Sequence, residues 1–478
     1  MMHPGNRWRI GFDIGGTFTD FILYDGAEES VRLHKRLTTP HDPSVAALAG
    51  LEELVETAGI DLAAVHEIVH GTTLVTNAVI ERKGAKLGLL TTQGFRDILE
   101  MGTEQRYDIY DLFLRYPEPF VSRDLRLEIP ERIDRDGRIV TAIDRDRVRQ
   151  SLRTLLEAGV EAVAVCFLNA YGNPEHERIV GAIARAEFPE LAVSLSSEVV
   201  AELWEYQRCV TTCANAYVQP LMDRYLKRIE RELSSRGFRG ALRLMHSAGG
   251  LVSPETARAF PIRLLESGPA GGGLATALFG SLAGQEDVIS FDMGGTTAKA
   301  CMIEGGRTEI APMLEAGRVH RFTKGSGLPI KAPVIDMIEI GAGGGSIAAI
   351  DAGGALKVGP ESAGAEPGPA AYDRGGTEPT ATDALITLGW LRPELFLGGR
   401  IALREDLARQ AIDQHIGKPL GIPTEEAAMG IYRILVHSMV DAIEQNSVRK
   451  GFDPRDFSLV AEGGAGPLFT ADIAPEVG

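Results

Sequence analysis

Cysteine is scarce in this chain. Four residues among 478, Cys166, Cys209, Cys213 and Cys301, lie too far apart in sequence to form a disulfide scaffold. Cys209 and Cys213 stand one helical turn apart in a segment that reads as helix, which is half of a metal-ligand set. No second Cys or His pair follows, so buried structural thiols are the expectation. Long apolar runs are also missing: no stretch reaches the ~20 residues that a membrane helix needs, and Met1 to Arg9 carries no apolar signal core. Positive charge is in deficit, with 49 Lys and Arg against 66 Asp and Glu, a net charge of −17. That balance argues against a nucleic-acid or anionic-membrane surface. The expectation is a soluble protein of the reducing cytoplasm.

What is present is an ordinary globular balance, 44% hydrophobic and 24% charged, in a chain long enough for two or three domains. Glycine is over-represented, with 55 residues clustered near 11–16, 268–273, 294–295, 341–345, 353–376 and 463–466. Such clusters between well-patterned segments suggest tight turns against a bound ligand. Short β-branched and aromatic runs (8–13, 18–24, 68–70, 86–91, 160–168, 243–245, 288–291, 337–340, 458–462) alternate with helical patterns at 45–58, 74–82, 146–158 and from 173 to about 188. Asp42-Pro43 supplies an N-cap and first-turn proline for the first helix. A long helical stretch from about Val199 to Arg236 carries Pro220 as a kink or junction. The alternation predicts an α/β fold with covered sheets.

One feature occurs twice. Phe12-Asp13-Ile14-Gly15-Gly16-Thr17 matches Phe291-Asp292-Met293-Gly294-Gly295-Thr296 at five of six positions, and both copies lie between predicted strands. The repeat reads as an internal duplication into two lobes, each opening with the same hairpin. This resembles the actin-like, ribonuclease H-like ATPase architecture, with ATP in the cleft between the lobes. A Gly-Gly turn directs backbone N–H groups at an anion, and Thr17 and Thr296 add hydroxyls. Asp13 and Asp292 repel phosphate but suit the outer shell of a Mg²⁺ ion, which keeps most of its waters. For one copy alone a plain hairpin turn explains the motif equally well; the pair favours phosphate. Ser458 to Glu462 followed by Gly463-Gly464-Ala465-Gly466-Pro467 suits the adenosine side, because bare backbone lets a flat base approach. Gly341 to Ser346 is a further candidate phosphate nest, with a plain turn as its alternative.

The motifs together resemble the hydantoinase A / 5-oxoprolinase family. They are residues 11–20 (GFDIGGTFTD), 70–78 (HGTTLVTNA), 94–100 (GFRDILE), 131–133 (ERI), 266–272 (ESGPAGG), 292–299 (DMGGTTAK), 367–369 (PGP), 377–383 (TEPTATD) and 463–467 (GGAGP). The resemblance implies an ATP-dependent hydrolase of a cyclic amide, of the hydantoin or 5-oxoproline type. In such enzymes phosphorylation of the carbonyl oxygen activates the amide, often with a hydantoinase B-type partner subunit. It also implies, as alternatives, the ATP-using subunit of an acetone carboxylase-type enzyme or a non-catalytic actin-like switch.

Role assignments combine the residue chemistry with that resemblance. Gly15, Gly16, Thr17, Thr19, Gly294, Gly295, Thr296 and Thr297 are candidate phosphate contacts; Gly463, Gly464 and Gly466 lie on the adenosine side. Asp13 and Asp292 are the candidate Mg²⁺ and catalytic carboxylates. Lys299 can neutralise the transferred phosphate, with an exposed strand lysine as the plainer reading. His70, Thr72, Thr73 and Asn77 form a candidate substrate cluster where a strand gives way to a helix; Thr72 or Thr73 as an N-cap is the alternative. Asp336, Glu339 and Asp383 are candidate acid–base or metal carboxylates, and Arg106, Tyr107 and Tyr110 candidate pocket residues. Two segments are expected, 7–195 with the first loop and 200–478 with the second loop and the adenosine motif. Two departures stand out. Phe469-Thr470 replaces the His-Ala of the family, and the chain stops at Gly478, so the second lobe is expected to be incomplete.

Overall fold

The computed structural model describes residues 7–39, 41–320, 323–399 and 402–478. β1 (Trp8–Ile14) and β2 (Phe18–Asp25) form an antiparallel hairpin that sets Asp13 opposite Asp20, and β3 (Ser30–Leu37) extends it. α1 (Pro43–Ala58) starts where the Asp42 carboxylate accepts the Ser44 N–H and stops at Gly59, whose φ of 67° ends it without a Cβ penalty. β4 (Val65–Thr72) then lies parallel to β1, and α2 (Leu74–Ile80) leaves its end.

A second, all-parallel sheet is inserted next. β5 (Leu87–Thr92), β6 (Arg126–Ile129), α3 (Arg145–Glu157), β7 (Ala162–Cys166), α4 (Glu175–Glu187) and β8 (Ala192–Leu195) give the strand order β8-β7-β5-β6. Every residue of β5 and β7 is buried, as continuous apolar runs covered on both faces require. The long helix α5 (Glu205–Ser235) continues through Pro220. It begins six residues later than the pattern suggests, because Val200 is extended and Trp204 has φ of 79°. β9 (Ala241–Met245) and β10 (Leu251–Val252) then return to the first sheet, in the order β10-β9-β4-β1-β2-β3. The segments 7–195 and 200–478 are therefore divisions of sequence; in space, residues 241–252 complete the sheet that residues 8–14 begin.

The other lobe comes after α6 (Ser267–Leu282). β11 (Val288–Met293) and β12 (Ala298–Glu304) form the second hairpin, extended by β13 (Arg307–Thr308) and flanked by β14 (Met337–Ile340). α7 (Ala381–Thr387), α8 (Thr424–Lys450), β15 (Ser458–Glu462) and α9 (Pro467–Val477) belong to the same lobe. β11 lies between antiparallel β12 and parallel β15, the same arrangement as β1 between β2 and β4. The α/β architecture is thus the duplicated, two-lobed actin-like one.

Two large apolar cores hold the lobes. Ile10, Phe12 and Ile68 pack with Val210, Met222 and Leu226 of α5; Phe291 and Met293 pack with Ile431, Leu435 and Met439 of α8. Each fully buried side chain of this size contributes about 1.5–3 kcal/mol. α6 packs on β4 and β9 of one sheet and on β11, β12 and β15 of the other, so it spans both lobes. Among the described residues no helix is long and apolar enough to cross a membrane.

Candidate functional site

The two Asp-x-Gly-Gly-Thr turns close in the same way and meet face to face. Gly15 N–H donates to Phe18 O at 3.0 Å, and Gly294 N–H to Thr297 O at 3.1 Å. A Cβ on Gly16 would lie 3.2 Å from Thr296 Oγ1, and one on Gly295 only 2.4 Å from Thr17 Oγ1. At Gly295 only glycine permits this approach. Behind the second turn, Gly344 N–H donates to Gly294 O (3.0 Å) and Gly345 N–H to Gly295 O (2.6 Å). The 341–346 segment, read from sequence as a phosphate nest, therefore spends these N–H groups as a brace. Ser346 Oγ accepts the Gly343 N–H within the same turn.

Between the turns and the start of α6 lies a cavity of about 680 Å³. Its polar lining is Asp13, Gly15, Gly16, Thr17, Asp292, Gly294, Gly295, Thr296, Thr297 and Lys299, with Thr73, Gly268 and the Asp20–Lys35 ion pair beside them. It is lined as well by Gly463, Gly464 and Ala465 and by a wall of Tyr372, Trp390, Leu391, Leu395 and Phe396. The cavity thus combines a backbone-rich, charged lining with an apolar, aromatic one, a composition suited to a phosphorylated aromatic ligand.

The electrostatics are set by burial. Asp13 is half-buried, with Oδ1 shielded from solvent and lacking a partner among the described atoms, and Cβ atoms on Gly71 or Gly268 would lie 2.6 and 2.8 Å from that oxygen. Burial, then the charges of Asp20 and Asp292, push its pKa up to about 7, against the pull of Lys299 and Lys35. Burial likewise raises Asp292 above the usual carboxylate range. Thr17 Oγ1 is a second buried oxygen without a partner among the described atoms. Lys299 is no exposed strand lysine: it is buried and ion-paired with Glu266, and burial lowers its pKa.

Other expected residues fall elsewhere. Thr19 is fully buried and shares a 3.0 Å hydrogen bond with Thr38, whose hydroxyl donates to Gly15 O, so it braces the first turn from behind. Gly466 lets α9 start against its strand, since a Cβ there would fall 2.0 Å from Glu462 O. His70 is fully buried, stacked on Phe12 at 4.1 Å and hydrogen-bonded to Tyr225 Oη at 2.8 Å. It faces the core of the first lobe and does not line the cavity; burial lowers its pKa to about 3. Thr72 exchanges hydrogen bonds with Ser267, its N–H donating to Ser267 Oγ and its carbonyl accepting from it. Thr73 Oγ1 donates to Ile14 O and accepts from Asn77 Nδ2, so of this cluster Thr73 alone lines the cavity.

Asp336 is ion-paired with Lys450 at 2.6 Å, and Asp383 is the third-position carboxylate of a capping box that also accepts the Ala370 and Ala371 N–H groups. Glu339 lies opposite Lys299 in the sheet and is exposed. Arg106, Tyr107 and Tyr110 lie in an exposed segment tied to itself, with Tyr107 Oη donating to Arg115 O. Cys209 and Cys213 are buried in α5, and the described residues form no group of three or more metal-ligating side chains. Phe469 fills the core of the second lobe, stacked on Tyr432 at 5.0 Å.

Sequence reasoning missed Asp20, Lys35, Gly268, Glu462 and the aromatic and aliphatic wall from Trp390 to Phe396. Gly268 lies within the 266–272 motif and needed only a structural partner; the wall carries no local signal. Glu462, opposite Asp292 in the sheet, accepts the Ser290 hydroxyl at 2.9 Å. Burial mainly raises it from 4.5 to about 7. A carboxyl raised in this way adds stability below about pH 4.5 and loses it as the pH climbs through 7. Glu462→Gln, which keeps an oxygen for Ser290, is expected to stabilise the protein by about 2 kcal/mol at pH 8 and by almost nothing at pH 4. Urea unfolding at the two pH values checks this; equal shifts would contradict it.

Comparison with known proteins agrees with this geometry. The family model for the hydantoinase/oxoprolinase N-terminal region matches residues 9–188, and that for hydantoinase/oxoprolinase matches residues 208–478. Caprolactamase subunit alpha of Pseudomonas jessenii is 38% identical over 478 residues, covering 99% of this chain and 67% of that protein. The 5-oxoprolinase of Saccharomyces cerevisiae is 32% identical, covering 100% of this chain and 40% of that protein. The nucleotide-free structure of acetone carboxylase superposes with a TM-score of 0.86 at 29% identity, covering 99% of this chain and 67% of that one. The chain therefore spans about two thirds of the length of two of these proteins and less than half of the third. The chain belongs to the hydantoinase/oxoprolinase family.

Proposed function

We propose that this chain is the ATP-using component of a hydrolase that phosphorylates the carbonyl oxygen of a cyclic amide. The observation that carries the reading is the pair of phosphate turns that meet and together line one cavity, with Asp13 and Asp292 at their bases. The Gly15–Thr17 and Gly294–Thr297 turns hold the phosphates from both sides. The Gly463–Ala465 backbone and the Trp390–Phe396 wall take the adenosine. Two half-buried carboxylates, one with a shielded, unpartnered oxygen, make a hard-oxygen donor set of the size Mg²⁺ uses alongside substrate phosphates, so the residues fit that ion. When bound, Mg²⁺ would offset phosphate charge, and Lys299 and Lys35 add to this from either lobe.

Phosphoryl transfer needs chiefly positioning and charge neutralisation, which two facing loops and two lysines supply. The bond from the terminal phosphorus to the ADP oxygen breaks as a bond to the amide oxygen forms. Water then adds to the activated carbon and the ring C–N bond breaks with a proton passing to the nitrogen, and a second water cleaves the resulting acyl phosphate to carboxylate and inorganic phosphate. A hydantoinase B-type subunit is the proposed partner, since the caprolactamase and carboxylase relatives are named as subunits. The setting is the cytoplasm, in keeping with four free, buried thiols.

The structural likeness to acetone carboxylase supports a second reading, the ATP-using subunit of a ketone carboxylase. ADP release from Mg-ATP, measured with hydantoin, 5-oxoproline or caprolactam and separately with acetone plus bicarbonate, decides between them. Stimulation of at least tenfold by a cyclic amide is expected. Stimulation by acetone and bicarbonate alone would replace the first reading with the second, and indifference to every substrate would leave an actin-like switch.

A further inference from the structure

We propose that Glu266 is a positioning residue, holding the Lys299 ammonium in the cavity so that the site distinguishes a nucleoside triphosphate from a diphosphate. This rests on the nucleotide-binding reading above. The Glu266 carboxylate is buried and ion-paired with Lys299. The pair crosses between the lobes: Lys299 belongs to β12, whereas Glu266 is fastened to the β4–α2 corner, its N–H donating to Thr76 Oγ1 at 3.1 Å. The next residue strengthens that attachment, as Ser267 Oγ accepts the Thr72 N–H at 3.0 Å and donates to Thr72 O at 2.9 Å.

Two independent observations separate this from a simple clamp. Glu266 has φ of 57°, a left-handed conformation that costs a side-chain-bearing residue free energy and persists only where its surroundings impose it. It does so as the N-cap of α6, the helix whose second residue, Gly268, lines the same cavity. Lys299 in turn lines the cavity together with the phosphate turns. A buried lysine tends to lose its proton, and a carboxylate against it preserves the charge. An ammonium has three donors, so one can stay on Glu266 while another meets a phosphoryl oxygen. The extra negative charge of a triphosphate is what such a held cation recognises.

Isothermal titration of the full chain with Mg-ADP and with Mg-AMPPNP, a triphosphate analogue that resists hydrolysis, tests this. Glu266→Gln is expected to weaken AMPPNP binding by about 10- to 30-fold and ADP binding by less than about threefold. Lys299→Met, which leaves no buried cation unpaired and so tests the idea should Glu266→Gln fail to fold, is expected to do the same. The double variant should lose no more than Lys299→Met alone, and Glu266→Asp should recover most of the loss. Equal weakening of both nucleotides, or additive losses in the double variant, would overturn the assignment and leave an inter-lobe clamp. Failure of the unsubstituted chain to bind either nucleotide would instead remove the nucleotide reading, and this inference with it.

Discussion

Replacing Asp13 by alanine is expected to lower nucleotide turnover by about a thousandfold while the protein remains folded. Removing one preorganised charge from a closed site costs about 10²–10³ in rate, and the upper end applies where a carboxylate oxygen is shielded from water, as Asp13 Oδ1 is. The carboxylate lies in a cradle formed by Gly71 and Gly268, with one oxygen unclaimed by the protein, so little folding energy depends on it. Its pKa, raised from 3.8 to about 7, carries the same message. A carboxyl raised on folding stabilises below its unfolded value and loses that contribution as the pH passes 7. At pH 8 the ligand-free alanine variant should therefore unfold at an equal or higher temperature than the parent. Mg-ATP turnover and thermal unfolding measured on the same preparation check both halves. Because Asp13 and Asp292 act on one ligand, Asp292→Ala on top of Asp13→Ala should cost no more than about another tenfold. A variant with parental turnover would take Asp13 out of the site.

Gly463→Ala should instead damage the fold and the site together. Gly463 has φ of 72°, where an alanine costs about 1–2 kcal/mol. Its added methyl would also sit 2.3 Å from Asp292 Oδ1 and 2.5 Å from Met293 O. Relieving that overlap moves the strand that carries Asp292, and overpacking of this kind costs a further 1–3 kcal/mol, roughly. A total loss of about 3–4 kcal/mol, read as a lower urea midpoint with an unchanged slope, should accompany at least tenfold weaker nucleotide binding. Gly464→Ala is the control. It has no left-handed φ, and its added methyl would meet only Lys35 Nζ, at 3.9 Å, so its loss should be under about 1 kcal/mol. Equal losses in the two variants would show that the backbone at 463 carries no special constraint.

Much of the site was legible because its chemistry is local. An Asp, two glycines and a threonine between two strands specify a turn, its backbone donors and an adjacent carboxylate from six residues, and the repetition at 291–296 revealed the two lobes. Helix α1 was equally plain, since an Asp-Pro start and a glycine stop are written within the helix and its two ends. The reading faltered where a role depends on what a residue faces. His70 and Thr73 lie within one motif, yet the histidine points into the core against Phe12 and Tyr225 while the threonine reaches the cavity. A strand alternates its faces, but the sequence does not say which face a neighbouring lobe will cover.

What the sequence determined by itself, then, was the duplicated pair of Asp-x-Gly-Gly-Thr turns, the α/β class and the glycine turn that follows β15. Each comes from steric rules acting over a few residues. Only the tertiary structure decided that β9 returns to lie beside β4, that Lys299 is buried against Glu266, and that Trp390 to Phe396 wall the cavity. These pairings join residues tens to well over a hundred positions apart, and their free energy appears only when both lobes pack and water is excluded from between them.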